Sequence, residues 1–137
     1  MDPLLLNPAC ARQIEQVGEE FLAAIYAAEM VRRPDNVAAL AELGHVYTRL
    51  GRYKDGLAVD VKLVGFAPED PTVRYNLGCS QALVGQVDEA LSTLELAVEL
   101  GYEDGPFMGD DEDLVPLRAH PRFVALLARL EGEGSAT

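Results

Sequence analysis

Two chemically reactive side chains, His45 and Cys79, stand 34 residues apart in this chain. An imidazole and a thiol held together make a nucleophilic dyad if a third group orients the imidazole, or two ligands for a soft metal ion. The sequence nominates no orienting group. Two ligands are too few for zinc, since no register brings in Cys10 or His120. We therefore expect no enzyme activity, no metal site and no cofactor.

A run of four acidic residues, Asp110–Asp113, is the other candidate for chemistry. A calcium loop needs spaced oxygen ligands and a central glycine, and this run has neither. We predict a solvated loop whose carboxylates cap the following helix and favour its dipole. The sequence contains no phosphate-binding glycine loop and no paired metal-ligand motif.

Composition limits the classes of function. The 137 residues are 49% hydrophobic, which predicts a single domain over 1–137 with an apolar core. The net charge of −12 repels nucleic acid and anionic membranes, so it favours a neutral or basic protein partner or serves only solubility. Leu4–Leu6 is too short for a signal peptide, and no apolar stretch approaches the roughly 20 residues of a membrane span. With two cysteines, these features predict a cytoplasmic protein.

Proline and glycine breaks divide the chain into helical segments with apolar residues at helical spacing. Residues 1–10 read as an irregular lead-in and Tyr102–Glu112 as a loop with room for one short turn around Phe107. Glu131–Thr137 reads as a frayed tail. The predicted helices are Ala11–Arg33, Val37–Leu50, Tyr53–Phe66, Pro71–Val84, Val87–Leu100, Asp113–Leu117 and Pro121–Leu130. Asp35 or Asn36 and Asp70 are the predicted N-caps.

Two stretches superpose at a spacing of 34 residues, and such a period is typical of stacked repeats. The glycine pairs Gly44 with Gly78 and Gly51 with Gly85 align. The first pair suits a close helix crossing, and the second allows a left-handed turn between antiparallel helices. The aligned leucines are Leu43 with Leu77 and Leu57 with Leu91.

The first copy reads Leu40-x-x-Leu43-Gly44-x-x-Tyr47, then Gly51 and Pro68, and resembles the tetratricopeptide repeat. The second reads Arg74-x-x-Leu77-Gly78-x-x-Gln81, then Gly85, Ala90 and Leu94. The resemblance implies an all-α protein of a small bacterial type, an α-α superhelix (solenoid) of antiparallel helix pairs. Its implied divisions are an N-terminal helix or degenerate repeat (11–36), two repeats (37–70 and 71–104), capping helices (105–130) and a tail (131–137).

In the tetratricopeptide family the first helix of each repeat lines a concave groove. The resemblance therefore predicts that a peptide or helical segment of a partner binds there. Of the Lys, Asn and Arg positions of the carboxylate clamp found in some members, only Asn76 matches, so we expect no such clamp. The predicted partner-binding residues are Ala38, Ala41, His45, Thr48, Thr72, Tyr75, Asn76, Cys79 and Ala82.

Two charged residues replace the usual apolar residues of the repeat. Asp60 lies in the second helix and Arg74 in the next one, and these helices should pack side by side. We predict that they form a buried salt bridge, which would offset the cost of burying either charge. The alternative is that both side chains extend to solvent.

The helix predicted for Ala11–Arg33 carries the widest apolar stripe, which includes Ile14, Val17, Phe21, Ile25 and Ala28. An amphipathic face usually meets its own core, so we expect the stripe to pack on the Val37 helix. The alternative is a homodimer seam or a partner site.

Three functions compete. The first is a non-enzymatic adaptor or scaffold that binds a protein segment in the groove. The second is a chaperone of a secreted protein, because the stretch from Arg74 to Gln86 is similar to type III secretion translocator chaperones. An enzyme would require an acid, a base and a nucleophile gathered in one closed pocket, and the sequence shows no such set.

Overall fold

The computed structural model describes residues 7–135, and within that range the chain contains only helices joined by short turns. None of the described helices is both long and apolar enough to cross a membrane. In chain order the helices are α1 (Pro8–Arg32), α2 (Val37–Arg49), α3 (Tyr53–Phe66), α4 (Pro71–Leu83), α5 (Val87–Glu99), α6 (Gly105–Asp110), a 3-10 helix (Glu112–Leu117) and α7 (Pro121–Ser135).

Side-chain caps fix where several helices begin. The Asn7 side chain accepts a hydrogen bond from the Cys10 backbone N–H at 2.9 Å, and Pro8 occupies the first helical position. The predicted start of α1 at Ala11 is therefore three residues late, because a proline at that position favours helix initiation. Asn36 caps α2 through the Ala39 N–H at 3.1 Å, and Asp70 caps α4, as predicted. The rest of the predicted lead-in, residues 1–6, lies outside the described residues.

The glycines perform the two roles predicted for them. Gly51 and Gly85 have φ angles of 75° and 85° and reverse the chain between paired helices. Gly44 and Gly78 lie at helix crossings. A Cβ on Gly44 would lie 3.1 Å from Val59 Cγ1, and one on Gly78 would lie 2.7 Å from a buried Leu94 methyl carbon. The crossing at Gly78 is therefore closer than a Cβ would allow, and the crossing at Gly44 would have to widen slightly to accept one.

The helices stack in sequence order, with α1 on α2, α2 on α3, α3 on α4 and α4 on α5. Leu43 and Val59 belong to the core formed by α1, α2 and α3. A larger core joins α4 and α5 to the C-terminal segment, where Phe123 is fully buried. The stack of antiparallel pairs confirms the predicted α-α solenoid.

At the junction between the two pairs, the predicted Asp60–Arg74 salt bridge does not form. Asp60 is buried, and its carboxylate accepts a hydrogen bond from the Ser80 hydroxyl on α4. Arg74 instead donates from Nε to the Pro68 carbonyl oxygen at 3.0 Å. The alternative prediction, that both side chains extend to solvent, is also wrong for Asp60, because its side chain is buried. The Ser80 hydroxyl, which lies on a different face of α4 from Arg74, supplies the hydrogen bond that the buried Asp60 carboxylate requires.

The C-terminal third is more helical than the sequence predicts. The short helical turn predicted around Phe107 is confirmed as α6, which is longer than one turn, because Asp104 caps the Phe107 N–H at 3.0 Å and Pro106 lies in the first turn. The backbone of α7 continues to Ser135, so the predicted frayed tail is wrong up to that residue. Residues 136–137 lie outside the described part of the chain.

Candidate functional site

A cavity of about 300 Å³ opens where α2 meets α4, on the face predicted to be concave. His45 and Thr48 of α2 and Asn76 of α4 line it. The C-terminal segment contributes Asp111 and Asp113 from the far side. The first helices of two successive pairs and residues 102–117, which we call the closing segment, therefore form one site.

Six of the nine predicted partner-binding residues are accessible at least in part. His45 is exposed, and Thr48 and Asn76 are half-buried. These three line the cavity, while the other accessible residues are not among its lining residues. Those others are Ala38 and Thr72, which are exposed, and Ala41, which is half-buried.

The remaining three, Tyr75, Cys79 and Ala82, are buried inside the chain itself. Tyr75 and Cys79 nevertheless border the cavity, and the prediction that these three residues contact a partner stays a prediction. The Tyr75 ring stacks on Tyr102 with centroids 4.3 Å apart and planes 2° from parallel, and Phe107 lies at 6.0 Å. The C-terminal segment thus occupies the half of the groove that α4 would otherwise present.

Asp111 connects this segment to α4. Its Oδ2 accepts hydrogen bonds from Tyr75 Oη at 2.6 Å and from Cys79 Sγ at 3.7 Å. Its Oδ1 accepts from the Asp113 N–H at 3.0 Å and so caps the 3-10 helix. The predicted helix-capping role of the acidic run is confirmed, but Asp111 is half-buried and hydrogen-bonded to α4 rather than solvated.

Burial and the nearby carboxylates set the protonation states of this cluster. Burial raises the pKa of the Cys79 thiol, and Asp111 and Asp113 raise it further. Burial likewise raises the pKa of Tyr75, while that of Tyr102 rises to about 12. Both phenols and the thiol are therefore neutral near pH 7. Because the nucleophile of a cysteine enzyme is the thiolate, this arrangement does not activate Cys79.

Two further acids at the site have raised pKa values. Asp60 lies beneath the cavity, where burial raises its pKa against the opposing effects of the Ser80 hydrogen bond and of His45. Burial raises the pKa of Asp113, with added repulsion from Asp111 and Glu112. The cavity therefore contains carboxyl groups that a cation from outside would stabilise in their charged form.

Possible ligand atoms from Cys79, Asp111 and Asp113 lie within 4.8 Å of one another. The sequence did not predict that these three side chains lie together. Asp111 follows Cys79 by 32 residues and belongs to a segment that was predicted to be a loop. A partial signal was the run of acids itself, placed just before a helix. The prediction that the protein uses no metal stays a prediction.

The apolar stripe predicted on the N-terminal helix does not pack on α2. Ile14, Val17 and Phe21 are 58%, 65% and 65% exposed. Instead α1 packs through Ala23, Tyr26, Ala27 and Met30, of which the first is buried and the others partly buried. Glu19 also pairs with Arg49 at the end of α2, with N–O distances of 2.9 and 3.0 Å.

Beside α1 lies a second cavity, of about 750 Å³, between α1 and α3. Its lining is mostly apolar and includes Met30 and Val31 of α1, Tyr47 of α2, and Val59 and Phe66 of α3. It adjoins the C-terminal half of α1. None of these residues was predicted to bind a partner, because the repeat pattern directs attention to the concave face.

Known proteins with similar structures support the architecture. A MamA structure from Desulfovibrio magneticus RS-1 superposes with a TM-score of 0.71 at 18% identity, covering 90% of this chain and 71% of that one. A MamA structure from MSR-1 gives a TM-score of 0.66 at 20% identity, covering 88% and 72%. MamA proteins are tetratricopeptide-like helical repeat proteins. This chain has the tetratricopeptide-type fold.

Sequence comparison adds one curated relative and no family. A chloroplastic protein of Arabidopsis thaliana is 32% identical over 91 residues. The match covers 64% of this chain and only 27% of the relative, so the chain spans about a quarter of that protein's length. No model of a protein family matches the chain. The tetratricopeptide-type fold is therefore identified from the helix stack and the 34-residue period.

Proposed function

We propose that this tetratricopeptide-type protein is a non-enzymatic scaffold that holds a segment of another protein on its concave face. The observation that carries the proposal is the open cavity between α2 and α4. Its accessible lining combines His45, Thr48 and Asn76 with the carboxyl groups of Asp111 and Asp113. These side chains offer hydrogen bonds and negative charge, and Arg49, which also lines the cavity, is paired with Glu19.

The chemistry of the cavity specifies the segment. A Lys or Arg side chain entering it would meet two carboxylates, and charge-assisted hydrogen bonds of this kind are among the strongest polar contacts. The net charge of −12 acts in the same direction, because it draws basic partners at long range. We propose a short neutral or basic segment, extended or helical, that inserts one cationic side chain between α2 and α4.

The length of the open groove favours an adaptor over a chaperone of a secreted protein. The closing segment buries Tyr75 and Cys79 at the edge of the cavity, which leaves the first pair and the junction as its most accessible part. A chaperone that shields a long hydrophobic segment needs a longer apolar groove. Co-expression with a hydrophobic secreted protein distinguishes the two, because only the chaperone would keep that protein soluble.

Selection from a random peptide library tests the groove. Peptides that bind should share one Lys or Arg, and replacing it by Ala should weaken binding at least about tenfold, which corresponds to 1.4 kcal/mol. The variant His45→Lys with Asn76→Ala should weaken binding similarly, because it places a positive charge in the cavity and removes an amide from its lining. Glu89→Ala with Glu99→Ala, at exposed positions on α5, is the matched control and should bind like the wild type. Binding that survives the groove substitutions would place the docking site elsewhere.

A further inference from the structure

Helix α1 is apolar on two opposite faces. One face packs on α2 and α3 through residues such as Ala23 and Met30. At 3.6 residues per turn, the second face is centred about 140° away. It consists of Ile14, Val17, Phe21, Ala24, Ala28 and Val31, all of them exposed. A helix that is apolar on opposite faces is normally enclosed between two partners, and the described residues supply only one.

The spacing of this outer face identifies the kind of partner. Its members, which we call the α1 seam, follow one another at intervals of 3, 4, 3, 4 and 3 residues. Alternating intervals of three and four are the pattern of a coiled-coil contact, in which each side chain inserts among four of a facing helix. The partner of the α1 seam is therefore another helix that lies nearly parallel or antiparallel to it.

We propose that the α1 seam pairs with the α1 seam of a second copy of this chain, antiparallel and about a two-fold axis. This inference goes beyond the proposed groove binding, because it uses α1 and none of the concave residues. In the register in which a two-fold axis relates the two helices, Phe21 faces Ala24 of the second copy, and Val17 faces Ala28 of the second copy. Ile14 faces Val31 of the second copy, which completes the seam.

The sizes of the seam residues favour the antiparallel direction. Phe21 and Val17 of each copy meet the small Ala24 and Ala28 of the other, which suits the close packing of protein interiors, and Ile14 meets Val31 at each end of the seam. A parallel pair in register would instead place Phe21 on Phe21, and would leave holes where Ala24 meets Ala24 and Ala28 meets Ala28.

The charges along α1 favour the same direction. Residues 8–20 hold three Glu and one Arg, whereas residues 21–33 hold one Glu and two Arg. The net charges are thus 1 − 3 = −2 and 2 − 1 = +1 over these two ranges. Antiparallel pairing brings the unlike halves together. Parallel pairing would align the two negative halves.

Within the described residues, α1 extends past the end of α2. Glu19 pairs with Arg49 there, Arg12 and Gln16 line a cavity with Leu50, and the helix runs on from these contacts to Pro8 as an overhang. In the proposed register this overhang lies along the C-terminal half of the other α1. That half borders the 750 Å³ cavity through Val31, which is 83% exposed. The α2 helices stay on the outer sides of the pair.

The size of the seam sets the expected affinity. A helix of 25 residues is about 37 Å long and, with side chains, about 10 Å wide, so each seam covers on the order of 400 Å². Exposed apolar patches of about this size often mark interaction sites. Because two such seams bury on the order of 800 Å² in total, which is below the range of stable specific interfaces, we expect a weak, reversible dimer that dissociates in the micromolar range or above.

Sedimentation velocity over a concentration series tests the dimer. The wild type should shift from monomer to dimer as its concentration rises. The variant Val17→Glu with Phe21→Glu should stay monomeric, with unchanged helicity because both side chains are exposed. Val124→Glu, at an exposed position on α7, is the control and should dimerise normally. A wild type that stays monomeric, a dimer that survives the seam substitutions, or equal loss in the control would each overturn the proposal.

Disulfide cross-linking tests the direction in a Cys10→Ser background. Proteins carrying Ile14→Cys or Val31→Cys should form a linked dimer only when the two are mixed. If each links with itself, the pairing is parallel and the proposal is wrong. Wild-type Cys10 gives the same information, since two copies of it would be adjacent in a parallel pair but about 37 Å apart in the antiparallel one. The seam variant should still bind groove peptides, so loss of dimerisation and failure of the proposed function are separable.

Discussion

Replacement of Gly78 by alanine tests the helix crossing on which the repeat geometry depends. The new Cβ would lie 2.7 Å from Leu94 Cδ2 and 2.8 Å from Leu94 Cγ. Leu94 is fully buried and cannot turn toward solvent. Overpacking of this kind costs about 1–3 kcal/mol, whereas replacing a helical Gly by Ala gains roughly 1 kcal/mol. We expect a net loss of about 1 kcal/mol in the free energy of unfolding from these opposing terms.

Gly65→Ala is the matched control. Gly65 also lies in a helix, but a Cβ there would meet nothing within 4 Å, so only the gain in helix propensity remains. Urea unfolding followed by circular dichroism should therefore place Gly78→Ala below the wild type and Gly65→Ala at or above it. Gly44→Ala should lie between them, because its Cβ would come no closer than 3.1 Å to Val59 Cγ1.

A double-mutant cycle identifies the cause of the loss. If the Leu94 side chain opposes the new methyl group, Leu94→Ala should be less harmful in the Gly78→Ala background by about 1 kcal/mol, within the range for residues in contact. Gly78→Ala as stable as Gly65→Ala would mean that α4 and α5 do not cross as closely as described. The tetratricopeptide-type assignment would then lose its main packing evidence.

Three further predictions concern the groove and its closing segment. Asp60→Asn should stabilise the protein near pH 7. Burial raises the native pKa of Asp60, so the native state of the wild type loses stability as pH rises through that pKa. Urea unfolding at a series of pH values should show that the free energy of unfolding falls less with rising pH in the variant than in the wild type. Tyr75→Phe removes the hydrogen bond to Asp111 and should cost about 1 kcal/mol in unfolding free energy; no change would mean that this bond does not hold the segment. Native Cys79 should react with an alkylating reagent far more slowly than Cys10, because only Cys79 is buried, and equal rates would contradict the closed arrangement.

Most of the fold could be predicted from the sequence, because the features that set it are local. Helices end or begin where local features require it. The positive φ angles of Gly51 and Gly85 reverse the chain, and Asp70 caps α4, and each of these depends on only a few neighbouring residues. The 34-residue period then fixed how the helices stack. The start of α1 was missed because Asn7 and Pro8 read as a loop, although together they form an N-terminal capping signal.

The candidate site was predictable only in part, since it depends on long-range contacts. The residues of α2 and α4 followed from the repeat pattern. The covering of Tyr75 by Tyr102 and Asp111 could not be foreseen, because these residues follow Tyr75 by 27 and 36 positions and the chain beyond residue 104 has no repeat pattern. The Asp60–Arg74 prediction failed for a similar reason. Complementary charge suggested the pair, but the position of Ser80 on α4 decided which side chain Asp60 meets.

The closing segment indicates how the concave face can be specific although most of its accessible side chains are small. By stacking Tyr102 on Tyr75, the chain fills the apolar half of its own groove. What remains open is the polar half, where a partner must satisfy His45, Asn76 and the carboxyl groups around Asp111. A ligand that covers these groups without a matching donor costs free energy, because each covered polar group loses its hydrogen bond to water. Recognition should therefore depend on one cationic side chain rather than on a long apolar segment, and the enrichment of a single Lys or Arg position among selected peptides is the result that follows from this geometry.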